Sequence, residues 1–137
     1  MARTQSAFLL RKDVPDRQAL QKSIDALKFK VTLDDGYVPF ESSGYLPCTY
    51  DGEDAGFTIK FHNLLPHTPA LQGQLGERDT VIDFKWSGDV REYVSAMAVC
   101  AALAKDFGAI VHDPDGDKVY SADQLVKKVR TAEEEAF

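Results

Sequence analysis

The chain has 137 residues, with sixteen Lys and Arg against twenty-two Asp and Glu, a formal net charge of -6 at pH 7, and 44% hydrophobic residues. That length and apolar content predict one domain over residues 1–137 whose core needs no disulfide or metal, and they exclude disordered, collagen-like and disulfide-scaffold classes. The negative charge argues against a nucleic-acid partner, which needs a basic surface, and suits a basic protein partner drawn in by electrostatic steering.

At the N-terminus, Ala7 to Leu10 is followed at once by Arg11-Lys12-Asp13, too short an apolar run for a secretory signal core, so a cytosolic protein is expected. Ser6 to Arg11 reads as a first strand. Asp13-Val14-Pro15-Asp16 supplies a capping Asp and an early Pro for a helix that carries Leu20, Ile24 and Leu27 on one face and ends near Lys28. Phe29 to Leu33 alternates apolar and polar residues as a strand does, completing a β-α-β opening. From Asp34-Asp35-Gly36 to Gly44 turn formers dominate, and Tyr37, Val38 and Phe40 give this loop an aromatic surface. Tyr45 to Tyr50 reads as a strand kept off the centre of a sheet by Pro47, and Asp51-Gly52-Glu53-Asp54 as an acidic turn.

Phe57, Ile59 and Phe61 alternate with Thr58, Lys60 and His62, the pattern of a strand with one buried face. Residues 63–79 hold Pro66, Pro69, Gly73 and Gly76 without periodicity and form a long surface connection, a common place for function. Ile82, Phe84 and Trp86 share one face of a strand from Val81 to Trp86, the second half of an antiparallel sheet. Asp89 and Glu92 are spaced as N-cap and N3 of a helix that runs to Phe107 and stops at Gly108. Its apolar residues lie nearly all round, and Ala96, Ala98, Ala101, Ala102 and Ala104 permit close approach, so it is expected to be the most buried helix. Arg91, Glu92 and Lys105 interrupt it and argue against a membrane span. Ala109 to His112 and Lys118 to Tyr120 flank a turn at Asp113-Pro114-Asp115-Gly116. Ser121 and Gln124 then box in a last helix through Leu125, Val126 and Val129 that frays at Glu133-Glu134-Glu135.

Candidate chemistry is sparse. Asp113, Asp115 and Asp117 imitate the first ligands of a calcium loop, but Lys118 stands where the loop glycine belongs and Gln124 where a bidentate Glu is required, so a plain turn and no metal are expected. His62, His67 and His112 form no closely spaced ligand pair. Cys48 and Cys100 make no CxxC pair and read as free thiols: Cys100 in the core, Cys48 in a looser, exposed region where His62 or His112 would have to serve as base without any local signature. No GxGxxG or P-loop pattern appears, and Lys127, Lys128 and Arg130 read as a solvated helix face because no aromatic is interleaved to stack a base. The expectation is a chain with no catalytic residue and no cofactor.

Two segments carry a resemblance. Gly44-Tyr45-Leu46-Pro47-Cys48 with Gly56-Phe57, and the run from Asp83-Phe84-Lys85-Trp86-Ser87-Gly88-Asp89 through the Ala-rich helix to Asp113-Pro114, resemble small bacterial immunity proteins encoded beside polymorphic or secreted toxins. The resemblance spans roughly the C-terminal two-thirds of the chain. It implies a cytosolic protein that binds a cognate toxin domain and blocks its active site or substrate access, and it transfers no individual residue role.

The fold expected is α+β, a single domain with a mainly antiparallel sheet and helices packed on one face. The expected partner-binding face is the richest pairing of aromatic and acidic residues: Tyr37, Phe40, Tyr45 and Tyr50 with Asp34, Asp35, Glu41, Asp51, Glu53 and Asp54. The competing expectation is a small enzyme or ligand-binding domain with a pocket between the sheet and the 63–79 loop.

Overall fold

A computed structural model describes residues 3–34, 36–41, 43–63, 76, 78–87, 89–113 and 118–136. The first strand, β1 (Arg3–Leu9), turns Gln5, Ala7 and Leu9 to one side, where all three are buried. A short 3-10 turn at Arg11–Asp13 leads to Asp16, whose carboxylate accepts from the Ala19 N–H at 2.8 Å and so caps α1 (Arg17–Ala26). Leu20 and Ile24, with Leu27 just beyond the last turn, form the buried stripe that the spacing dictates.

The strands that follow are β2 (Val31–Leu33), β3 (Ser43–Leu46), β4 (Cys48–Tyr50), β5 (Glu53–Asp54), β6 (Phe57–Asn63), β7 (Thr80–Trp86), β8 (Ile110–Asp113) and β9 (Lys118–Tyr120). They form a six-stranded antiparallel sheet in the order β3-β6-β7-β1-β8-β9 and a three-stranded antiparallel sheet in the order β2-β4-β5. The fold is α+β, as its pattern predicts. Two local expectations are corrected. The β-α-β opening exists in chain order only, since β1 and β2 belong to different sheets. The strand expected from Tyr45 to Tyr50 is two strands in two sheets, and the break falls at Pro47, which has no N–H to give a ladder.

Pairing within the large sheet follows the alternation. Ile59 faces Phe84 and Phe61 faces Ile82 between β6 and β7, and the Phe57 and Phe84 rings meet at 5.6 Å between centroids. In the small sheet, Asp51 and Gly52 take φ of 52° and 85°, the consecutive left-handed pair that a two-residue hairpin between Tyr50 and Glu53 requires. The outer edge of β2 does not stay open. Gln21 donates to Val31 O and accepts from Leu33 N–H, both at 2.8 Å, and the Arg17 guanidinium donates to Leu33 O at 2.9 and 3.1 Å. Side chains of α1 thus stand in for a neighbouring strand.

The long helix α2 (Val90–Asp106) opens on Asp89, which accepts from the Arg91 and Glu92 N–H groups at 2.7 and 3.3 Å. Glu92 reaches back to Ser87, accepting from its N–H at 3.0 Å and its hydroxyl at 2.8 Å, so the capping box closes outside the cap residue itself. Every residue from Val94 to Leu103 is buried. The helix touches β1, β6, β7 and β8 of the large sheet, β4 of the small one, and both other helices, which explains why it carries alanines where its neighbours come closest.

The last helix, α3 (Ala122–Ala136), starts with a reciprocal box: Ser121 N–H to Gln124 at 2.8 Å and Gln124 N–H to Ser121 Oγ at 3.2 Å. It continues through Glu133-Glu134-Glu135, where fraying was the expectation, because the Tyr50 hydroxyl donates to the Glu133 carboxylate and Arg130 donates to Leu27 O at 2.9 Å. Leu125 and Val129 are fully buried. On the opposite face of the large sheet, Phe8 and Val81 form a second small cluster with Ile110 and Val119. Among the described residues, no helix is long and apolar enough to cross a membrane.

A helix packed on every side tolerates neither gaps nor added bulk. Ala101→Leu is expected to cost about 1–3 kcal/mol and Leu125→Ala about 2–5 kcal/mol in urea unfolding. An Ala101→Leu variant as stable as the parent would show that α2 is not enclosed.

Candidate functional site

The residues expected to form one partner face separate into several places. Asp34 and Asp54 lie together beside Pro47 at the crossover from β3 to β4, whereas Tyr45 lies on β3 and lines a different cleft. Tyr45 is 63% exposed, and its ring comes close enough to Gly56 that a Cβ there would lie within 2.3 Å of its hydroxyl. Such a Cβ would also lie 2.7 Å from the Leu46 carbonyl oxygen, a backbone atom that cannot swing aside as the Tyr45 ring can, so glycine is required there. Tyr45, Gly56, Lys85, Trp86, Ser87 and Glu92 line a cleft of about 480 Å³. Across the crossover, Arg17, Asp34, Pro47 and Asp54 help to line a second cleft of about 420 Å³. Glu53 pairs with Arg91 at 2.7 Å, an ion pair exposed enough to contribute at most about 1 kcal/mol.

The remaining residues lie elsewhere. Tyr37, expected on an aromatic surface, is 3% exposed, because it packs against the segment before α1 and against β6: its hydroxyl donates to Pro15 O at 3.1 Å and its ring meets Phe61 at 6.1 Å. Tyr50 is buried as well, since the two-residue period of β4 turns it to the same side as Cys48. Burial first, then the Glu133 carboxylate that its hydroxyl meets, raise the Tyr50 pKa. Phe40 is half-buried against Phe61 at 5.4 Å, with the Arg11 guanidinium 3.9 Å from its ring centroid. Glu41 is exposed beside it in the chain, and Asp51 sits at the hairpin tip 3.9 Å from Lys30 Nζ. Asp35 lies outside the described residues.

One of the two thiols is corrected too. Cys48, expected to be exposed, is 4% exposed on the inner side of β4, and burial pushes its pKa up to about 12, with the Asp34 charge adding to the rise and a backbone hydrogen bond at Asp34 opposing it. Burial likewise raises Cys100 in α2. Thiols held protonated at neutral pH are poor nucleophiles. His112 is half-buried, its ring 6.4 Å from Phe8. His67, Asp115, Asp117 and positions 64–75 and 77 of the long connection lie outside the described residues, and with them the pocket expected there. Among the described residues, no group of three or more His, Cys, Asp or Glu is placed to hold a metal ion.

A polar site that sequence reading missed lies at one end of the helix-covered face. Gln5 faces Phe84 across β1 and β7, which makes Trp86 its diagonal neighbour on the same side of the sheet. With Tyr93 and Met97 of α2, Asp113, Tyr120 and Lys128, these two residues line a pocket of about 160 Å³. Gln5 and Trp86 are 6% and 4% exposed, yet Gln5 Oε1 and Trp86 Nε1 make no hydrogen bond to the protein. An unsatisfied buried polar group costs about 1–3 kcal/mol, so two in one pocket oppose stability. The available signal was the register of β1, where Gln5 stands inward in line with Ala7 and Leu9.

Both cysteines are expected to resist an aromatic disulfide reagent at pH 8 in native buffer and to react in denaturant. The unfolded Cys48 thiol ionises near 9.0 while the folded one keeps its proton to about 12, so the unfolded state binds fewer protons and stability falls with rising pH across that window. Cys48→Ala should flatten this alkaline slope by up to about 1.4 kcal/mol per pH unit; an unchanged slope would contradict the buried thiol.

Comparisons of the chain with protein families, with curated proteins and with solved structures give no match.

Proposed function

We propose that this chain is an immunity protein that neutralises a cognate toxin domain by contact in the cytosol and performs no turnover of its own. The observation that carries the reading is Tyr45, 63% exposed on the edge strand β3 in a cleft it shares with Glu92, while Asp34 and Asp54 line a second cleft beside Pro47. Tyrosine is a preferred interface anchor because it offers a large rigid area with a polar tip. Contact with the bare Gly56 backbone restrains the ring before binding, which lowers the entropy lost when a partner closes over it. The surrounding acidic groups suit a basic toxin face and speed encounter. The resemblance of the segments around Tyr45 and Trp86 to immunity proteins supports the same partner class. On this reading the β3 edge and the crossover cover the toxin's active site or its substrate path.

The test uses the product of the gene adjacent to this one, expressed as a catalytically disabled domain. Tyr45→Ala is expected to weaken binding by about 2 kcal/mol or more, mainly through faster dissociation. The double variant Asp34→Asn with Asp54→Asn should slow association and reduce its salt dependence. Unchanged rates in all variants would remove this face, and failure of the adjacent product to bind the parent chain would remove the immunity reading.

A further inference from the structure

The pocket behind Trp86 combines features that packing alone does not require. Its inner volume of about 160 Å³ is close to the roughly 150 Å³ that accepts one benzene ring in a protein core, so it fits a single six-membered ring. Its walls are flat: the Trp86 and Tyr93 rings stand 5.7 Å apart at 58°, and Tyr120 adds a third aromatic surface. Its unpartnered groups are complementary. Trp86 Nε1 can only donate, and Gln5 Oε1 can only accept. A ring that satisfies both must carry a hydrogen-bond acceptor and donor side by side, as a lactam does. Asp113 offers a further acceptor in the same wall.

The pocket continues outward. Tyr93, Tyr120 and Lys128 also line a groove of about 430 Å³ that runs along α3 past Lys127 to Glu135. Lys128 Nζ lies 4.8 Å from the Tyr120 ring centroid, at the junction of the two spaces. The groove therefore sets two ammonium groups against the Glu135 carboxylate and favours a negatively charged substituent. In sequence, Lys127 and Lys128 have no aromatic between them; the fold brings Tyr93 and Tyr120 to both lysines and Trp86 to Lys128.

We infer that this pocket binds a small planar lactam with an anionic substituent, the chemistry of a pyrimidine nucleotide, with Gln5 and Trp86 reading the ring and Lys128 the anion. The inference does not rest on the immunity reading: the two sites share Trp86, but Gln5, Tyr120 and Lys128 line this pocket and not the Tyr45 cleft.

Trp86 is the only tryptophan, so the full ¹⁵N-labelled chain shows one indole N–H resonance. Titration with uridine 5′-monophosphate is expected to shift that resonance saturably, uracil to do so about tenfold more weakly, and inorganic phosphate to leave it unmoved. Gln5→Leu removes the amide at similar size and should weaken both ring probes by about tenfold, whereas Lys128→Ala should weaken only the nucleotide. Absence of a saturable shift with either ring probe, a shift with phosphate alone, or full affinity in Gln5→Leu overturns the assignment. If Gln5→Leu does not fold, nucleotide affinity unchanged in Lys128→Ala overturns it. Tighter binding of oligouridylate than of the mononucleotide also overturns it, by making the groove a strand-binding surface.

Discussion

The complete enclosure of α2 is the constraint on which the rest of the molecule depends. Ten successive buried residues, Val94 to Leu103, leave no face of that stretch for water, so the helix needs partners all the way round. One sheet and one helix cannot surround it. The large sheet covers one side, α1 and α3 flank it, and β4 reaches it from the small sheet. This requirement accounts for the chain leaving the large sheet at Pro47: a continuous strand from Tyr45 to Tyr50 would have kept Cys48 and Tyr50 in the ladder of β3 and away from the core they help to fill.

Enclosure also explains why α3 holds its shape to the end. Its apolar stripe is narrow, and its C-terminal turns carry three successive glutamates, a poor sequence for the end of a helix, where the dipole disfavours negative charge. Tertiary contacts compensate. Tyr50 engages Glu133, and Arg130 satisfies a carbonyl left open at the end of α1 while its guanidinium lies 5.1 Å from the Phe29 ring. The basic cluster that reads in sequence as one solvated face is thereby divided: Arg130 ties α3 to α1, and Lys128 turns to Tyr120.

Trp86 joins the core to both proposed sites. It ends β7, meets the Tyr93 ring at a tilt, and lines both the Tyr45 cleft and the pocket with Gln5. A core built for stability alone would place an apolar residue at Gln5, because an amide without a partner there is a standing penalty. Retaining it beside an unpaired indole N–H is the kind of local cost that functional sites carry. The Tyr45 cleft shows a second such departure, a large aromatic left in solvent over a glycine.

What the sequence determined by itself were the features set by neighbours within a few residues. The caps at Asp89 and Ser121, the Gly108 stop, the inward stripe of α1 and the alternation in β6 and β7 follow from helix and strand periods and from the hydrogen bonds that chain ends need. The acidic hairpin at Asp51-Gly52 is equally local. The tertiary structure alone decided which sheet each strand joined, that Tyr37 and Tyr50 turn inward while Tyr45 turns outward, and that Cys48 is sealed. An aromatic ring at an irregular position is apolar enough to bury and polar enough to expose, so its fate rests on what lies across from it. The same holds for Gln5, Trp86, Tyr93, Tyr120 and Lys128: they sit on five separate elements, no spacing links them, and only the packing of helices on the sheet brings them to one pocket.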